Sequence, residues 1–281
     1  MSPPTPQTTV DYILKAYENT SAEKIAKHLN INASTVCRIL KRNKIAMRNG
    51  SERTRTFEIN TSYFKNIDSE EKAYFLGFLF ADGSVDKSSG IKISLKSWDE
   101  DILEKFSNII YGFKKIVNST TNDGKTEVST LYFYSKEMVK DLAGYGCVNA
   151  KAFLIRLPKL NDDMYRHFIR GYFDGDGCIS FKKDGRTIID ITSNAKFTED
   201  LRVFLLDKAG VKMNKYISSR NNETACIQAT SRKQVVAFLN YIYKDSTIYM
   251  NRKYNKHLVC LQNDGRAPRI TINENEITSG T

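Results

Sequence analysis

A chain of 281 residues with 41% hydrophobic and 27% charged side chains can build one large domain or two modest ones. Its net charge of +11 and pI near 9.3 favour a polyanionic partner, nucleic acid first and an anionic membrane surface second. No apolar run approaches the roughly twenty residues of a membrane span, and the opening MSPPTPQTTV has no signal-peptide core. Cys37, Cys147, Cys178, Cys226 and Cys260 are widely spaced with no CxxC pair, which indicates neither a disulfide framework nor a zinc site. His28, His167 and His257 stand in separate contexts, and no GxxxxGK[ST] loop is present. The expectation is an intracellular protein in a reducing compartment, the cytoplasm of a bacterium or phage-infected cell rather than an organelle. Its chemistry rests on carboxylates and amines.

Residues 10–44 hold three short helical patterns: Val10, Ile13, Leu14 and Tyr17; then Ile25, Ala26 and Leu29; then Val36, Ile39 and Leu40. Ser21 caps the second, and the break at Asn30 to Asn32 precedes the third, as in a helix-turn-helix. The third helix leaves Ser34, Thr35, Arg38, Lys41 and Arg42 off its apolar face, short polar groups for base edges and cations for phosphates. Residues 1–56 carry ten Lys or Arg against four Asp or Glu, so the excess charge is concentrated where a DNA contact needs it; a protein-interaction module with a solvated basic face is the alternative. The aperiodic RNKIAMRNGSERTRT that follows is a basic linker, whose Arg48, Arg53 and Arg55 could lie along a minor groove or be solvated.

The remainder repeats. YFLGFLFADG (74–83) aligns with FIRGYFDGDG (168–177), so that Gly77 matches Gly171, Ala81 matches Gly175, and Asp82 matches Asp176 at a distance of 94 residues. After each acid come two strand patterns, among them IKISLK and TIIDIT, then a helical pattern, two more strand patterns, and a helix opening on Ser135 or Ser231, 53 and 55 residues beyond the acid. Each half therefore reads as helix, two strands, helix, two strands, helix. The spacing of Gly77 with Ala81 and of Gly171 with Gly175 puts a small-residue stripe on each motif helix, letting two backbones approach closely and bringing Asp82 and Asp176 together. Leu76, Leu79 and Phe80 would face the core around that seam. Two adjacent carboxylates repel unless a cation lies between them, and Mg²⁺ prefers such oxygen ligands.

This arrangement, over about residues 68–260, resembles the LAGLIDADG homing endonucleases in the form where one chain carries both motifs. The resemblance implies an α+β fold of two pseudo-symmetric αββαββα half-domains with antiparallel DNA-binding sheets, behind a small all-α helix-turn-helix domain. The segments would be 1–48 for the module, 49–67 for the linker, 68–160 and 161–261 for the half-domains, and 262–281 for a loosely ordered tail. It further implies a monomer with an internal pseudo-two-fold axis that cuts both strands of double-stranded DNA, leaving short 3′ overhangs. Two or three Mg²⁺ ions, with Mn²⁺ as a substitute, would be held by a metal site of Asp82, Asp176, Ala81 and Gly175, centred on the paired aspartates. A lysine belongs near the end of each half, and Lys151 and Lys253 occupy comparable positions. On the strand patterns, Lys92, Ser94, Lys96, Lys182, Lys183, Arg186, Lys215, Arg220 and Gln228 are the expected DNA contacts, each of which could equally be a solvent-facing residue. Two positions depart from the family pattern: Phe80 stands where many members have an acid, and Arg170 where a small or apolar residue is usual, either loosening or bracing the seam. An RNA-splicing maturase and a non-cleaving DNA-binding regulator on the same scaffold are the alternatives, and both retained acids favour cleavage.

Overall fold

The computed structural model describes residues 5–17, 20–47, 58–86, 89–121, 123–148, 154–218 and 223–266. The chain divides into two compact units, Met1–Glu58 and Ile59–Thr281.

In the first unit, α1 (Gln7–Tyr17), α2 (Ala22–Leu29) and α3 (Ala33–Arg42) bury Ile13, Ile25, Val36 and Leu40 against one another. The turn between α2 and α3 is set by its polar residues. Ser21 Oγ accepts the Lys24 N–H at 3.3 Å, Asn30 closes α2 in the left-handed conformation at φ 51°, and Asn32 Oδ1 accepts the Ser34 N–H at 2.9 Å to open α3.

The second unit is a repeat in three dimensions. Its first half runs α4 (Glu70–Ala81), β1 (Gly83–Val85), β2 (Gly90–Lys96), α5 (Glu100–Tyr111), β3 (Val117–Thr120), β4 (Glu127–Tyr134) and α6 (Lys136–Gly144). Its second half runs α7 (Asp162–Asp176), β5 (Gly177–Phe181), β6 (Thr187–Asn194), α8 (Ala195–Ala209), β7 (Asn214–Ile217), β8 (Thr224–Ala229) and α9 (Arg232–Tyr243), followed by α10 (Asn251–Gln262). Both halves form four-stranded antiparallel sheets of the same order, β1-β2-β4-β3 and β5-β6-β8-β7. The expected α+β architecture is the one observed.

Local chemistry repeats as well. Ser69 and Ser135 accept N–H groups at the first turns of α4 and α6, and Asn194 Oδ1 accepts two at the start of α8. Helices α5 and α8 both stop on a left-handed glycine, Gly112 at φ 77° and Gly210 at φ 63°, where a side chain would be strained. Along β4 and β8 buried residues alternate with exposed or half-buried ones, so each sheet has one face under helices and one open face. The covered faces share one core with α4 and α7, in which Leu76, Leu79 and Phe80 are fully buried, as expected. Tyr63, Phe64 and Ile67 belong to that core too. The stretch assigned to the end of the linker is thus packed structure from Ile59 onward, because its apolar side chains cover α5, with Phe64 stacked edge-on against Phe106.

Candidate active site

The site is built by the α4–α7 pair. A side chain on Gly77 would run into the Phe168 carbonyl and lie 2.8 Å from Tyr172 N, and one on Gly171 would run into the Tyr74 carbonyl and lie 3.0 Å from Phe78 N. The two backbones are in contact through these glycines, nearer than any Cβ allows. At the far end of the seam Gly175 faces Ala81, and a Cβ there would lie 2.9 Å from Asp82 Oδ2. Asp82 caps α4, its N–H donating to Phe78 O at 2.9 Å, and Asp176 is the last residue of α7. The next residues, Gly83 and Gly177, start β1 and β5 and pair with Ile93 and Ile191. Both carboxylates therefore stand where a helix C-terminus meets the first strand of a sheet, with Asp176 exposed and Asp82 half-buried. The carbonyl ends of both helices add negative potential to that point, which favours a cation.

Lys253, on α10, meets the same place from the side. Its Nζ donates to Phe173 O at 2.6 Å and Gly175 O at 3.1 Å, and only 4% of the residue is exposed. Burial lowers its pKa to about 8, opposed by Asp174, Asp82 and Asp176. The ammonium is thus in the field of all three acids. Lys151, the counterpart in the first half, lies outside the described residues.

Asp174 was not anticipated as a structural residue, although it is in the same motif. Two residues on a helix differ by about 200°, so Asp174 points inward where Asp176 points out. It is completely buried, and it accepts hydrogen bonds from Tyr243 Oη at 2.5 Å, Met250 N at 2.8 Å and Tyr74 Oη at 2.9 Å. Burial raises its pKa despite Lys253 and those donors. In the first half the equivalent Phe80 packs edge-on against Phe168, with centroids 5.1 Å apart. An acid in one half and a phenyl ring in the other serve the same packing position with different partners.

Arg170 braces the seam. Its guanidinium donates to Ile248 O at 2.8 Å, to Ile242 O at 2.7 Å and to Glu70 Oε1 at 2.5 Å, and its side chain is fully buried. Glu70 also accepts the Thr247 N–H at 2.8 Å. Burial would raise the Glu70 pKa, but the Thr247 N–H and Arg170 outweigh it and hold the carboxyl below its usual range. The start of α4 is tied in this way to α7 and to the α9–α10 connection.

The open sheet faces hold some of the expected contacts and exclude others. Lys92, Ser94 and Lys96 lie on the open side of β2, Lys96 with its ammonium 4.6 Å from the ring centroid of exposed Trp98. Gln228 is on the open side of β8, opposite Asp190. Lys215 is not on this surface. It pairs in register with buried Ile227, so it points to the helix-covered side and donates to Glu199 at 2.9 Å. Lys182, Lys183 and Arg186, expected on a strand, are in the turn joining β5 and β6, because the Lys182 N–H closes that turn on Arg186 O at 2.8 Å. All three are exposed, with Arg186 paired to Asp184. Arg220 and Arg48 lie outside the described residues, as do Arg53 and Arg55. In the first unit Ser34, Arg38, Lys41 and Arg42 are exposed on α3 and Thr35 is half-buried, with the Ser34 hydroxyl donating to the cap residue Asn32 at 2.8 Å.

Among the described residues no group of three or more His, Cys, Asp or Glu could hold a metal ion, and no helix is long and apolar enough to cross a membrane. Two carboxylates and main-chain oxygens do fit a hard ion such as Mg²⁺, which binds few protein groups and completes its shell with water and phosphate.

Twofold-repeated halves, a glycine seam and paired acids at the helix ends define a duplicated α+β protein with a carboxylate centre between two open sheets. The LAGLIDADG-like domain model matches residues 69–145 and 163–243, and the chain belongs to this family. Among curated relatives it is 31% identical over 159 residues to the replication factor C small subunit of Methanocaldococcus jannaschii, covering 55% of this chain and 8% of that protein. It is 31% identical over 145 residues to DNA-directed RNA polymerase subunit Rpo1C of the same organism, covering 49% of this chain and 16% of that one. The chain thus spans a small part of these relatives. The crystal structure of the meganuclease I-SmaMI bound to uncleavable DNA shares the fold, with a TM-score of 0.51 at 13% identity over 74% of this chain and 94% of that one.

Proposed function

We propose that the chain is a site-specific endonuclease that makes a double-strand break in a long DNA target by metal-dependent phosphodiester hydrolysis. The observation that carries this reading is the meeting of the two motif ends, with Asp82 Oδ2 only 2.9 Å from where a side chain on Gly175 would begin. Asp82 and Asp176 would hold Mg²⁺, with Ala81 and Gly175 giving the close approach. A divalent ion bound there lowers the pKa of its water and stabilises charge on phosphate oxygens. The rest falls to the chain's own residues. The acids would balance the charge of the cation and fix its place beside the scissile phosphate, and the seam holds them in position. Lys253, already inserted at the end of α7, offers an ammonium to charge developing on the phosphate. Lys92 and Lys96 on the open face of β2 hold phosphate or base edges, and α3 of the first unit is a further DNA contact. Segments of 8% and 16% in two otherwise unrelated proteins are what an inserted mobile element would leave, which supports a role in intron or intein mobility.

The test is cleavage of a plasmid library of random inserts with Mg²⁺, read by sequencing linear products. Asp82→Asn and Asp176→Asn should each lose cleavage by a factor of roughly a hundred or more while still binding DNA. Lys253→Met should lower the cleavage rate more than it weakens binding. Wild-type rates in both acid variants would remove the assigned centre, and binding without any cleavage by the wild type would favour a regulator or a splicing protein on the same scaffold.

A further inference from the structure

Both sheets have the same strand order, so residues on the paired inner strands of one open face can be matched to those of the other. Gly83 pairs with Ile93 in the first sheet and Gly177 with Ile191 in the second, so Lys92 and Asp190, one step back along β2 and β6, occupy the same place. Their cross-strand neighbours are Ser84 and Tyr132 in the first half and Cys178 and Gln228 in the second. The counterpart positions carry opposite charge.

An acid on a surface that must follow phosphates is unfavourable unless it faces something other than phosphate. Asp190 is half-buried and accepts no hydrogen bond from any described residue; Lys182 and Lys253 act on its carboxylate through space, while burial raises its pKa. Lys253 is the residue that caps the end of α7, so Asp190 stands near the paired acids. A carboxylate partly withdrawn from water, with no donor of its own, is matched by a neutral donor on the ligand. In the major groove the cytosine N4 amino group is that donor for Asp, whereas Lys matches the O6 and N7 acceptors of guanine.

We propose that Asp190 and Lys92 are paired specificity determinants that make the target asymmetric close to its centre, Asp190 accepting from a cytosine in one half-site and Lys92 donating to a guanine at the pseudo-symmetric position of the other. A palindrome would present the same base to both residues, so the target is not palindromic at that step. Gln228 flanks Asp190 on the same face and Tyr132 flanks Lys92, so the neighbouring contacts differ as well. The inference rests on the reading of the chain as a site-specific DNA-binding protein.

Binding selection from a randomised duplex pool with the full chain tests it without requiring cleavage. With each half-site read 5′→3′ on its own strand, the wild type should enrich cytosine at one position and guanine at the related one, with a preference of roughly tenfold or more at each. Asp190→Asn, a near-isosteric change on a half-exposed side chain, should move the preference at one position from cytosine to adenine, and Asp190→Lys should move it to guanine. Lys92→Asp should convert only the other position. Profiles identical to wild type in all three variants would overturn the inference and leave the proposed function intact. Enrichment of no sequence by the wild type would overturn the DNA-reading role itself.

Discussion

Replacing Gly171 by alanine adds one methyl group at the tightest point of the α4–α7 seam. The new carbon would meet the Tyr74 carbonyl head on and sit 2.8 Å from its carbon and 3.0 Å from Phe78 N, against an ordinary separation of about 3.5–4.0 Å. Both obstacles are main chain, so no rotamer change relieves them, and the helices must separate by on the order of 1 Å. A gap of that size forfeits about a quarter to a half of each dispersion contact it opens, and a buried side chain makes about 40–60 contacts worth about 0.1–0.2 kcal/mol each. For Tyr74, Phe78, Phe168 and Tyr172, all buried across the seam, a partial loss of this kind reaches several kcal/mol. The intrinsic gain of alanine over glycine in a helix, about 1 kcal/mol, offsets little, and the expected net loss is about 3–5 kcal/mol. Gly144 is the control: it ends α6 and a methyl there meets nothing within 4 Å, so Gly144→Ala should be neutral or stabilising by up to about 1 kcal/mol. Urea unfolding followed by circular dichroism measures both: the Gly171→Ala midpoint should fall and the Gly144→Ala midpoint should hold or rise, at unchanged slope. A loss below about 1 kcal/mol for Gly171→Ala would refute the backbone-contact account of the seam.

Asp174→Ala leaves Tyr74 Oη, Tyr243 Oη and Met250 N without their acceptor, and thermal unfolding should show a loss of about 3 kcal/mol or more, with Asp174→Asn costing less. Arg170→Met strands the Glu70 carboxylate and should cost about 3–5 kcal/mol. Adding Glu70→Gln should recover part of it, and a strictly additive double-mutant cycle would deny the coupling. Burial lowers the pKa of His167 and of His257 to about 4, so both are neutral in the fold and the unfolded chain binds the extra protons between about pH 6.5 and 4. Stability present above pH 6.5 should therefore fall as the pH drops towards 4, by about 2–5 kcal/mol for the two together after discounting for solvent near His167. His257→Phe should flatten that fall in a pH series of urea midpoints, and an unchanged slope would show that its ring is not held neutral.

Much of the second unit was legible because its signals are local. The offsets of Asp82 and Asp176, the serines that open α6 and α9, and the four-residue spacing of Gly77 with Ala81 and Gly171 with Gly175 are all properties of short stretches. The orientation of Lys215 was not legible, since it depends on which β8 residue it pairs with, and register is settled by the covered face. Lys182, Lys183 and Arg186 read as strand until the main chain closed a turn on Arg186 O. The role of Arg170 was open because its partners, Glu70, Ile242 and Ile248, lie 72 to 100 residues away.

The sequence by itself determined the duplication, the helix and strand periods and the two acids that end the motif helices, because these follow from side-chain spacing along one segment. Only the tertiary structure decided which acid is buried, how Lys253 reaches the helix end and which charge stands opposite which. Asp174 and Asp176 differ by helix phase alone, yet one is enclosed by Tyr74 and Tyr243 and the other is exposed. Lys253 reaches the end of α7 from a helix 77 residues beyond Asp176. Lys92 and Asp190 become counterparts only when two sheets fold in the same register. Burial and long-range pairing set those outcomes, and neither is written in any one stretch of chain.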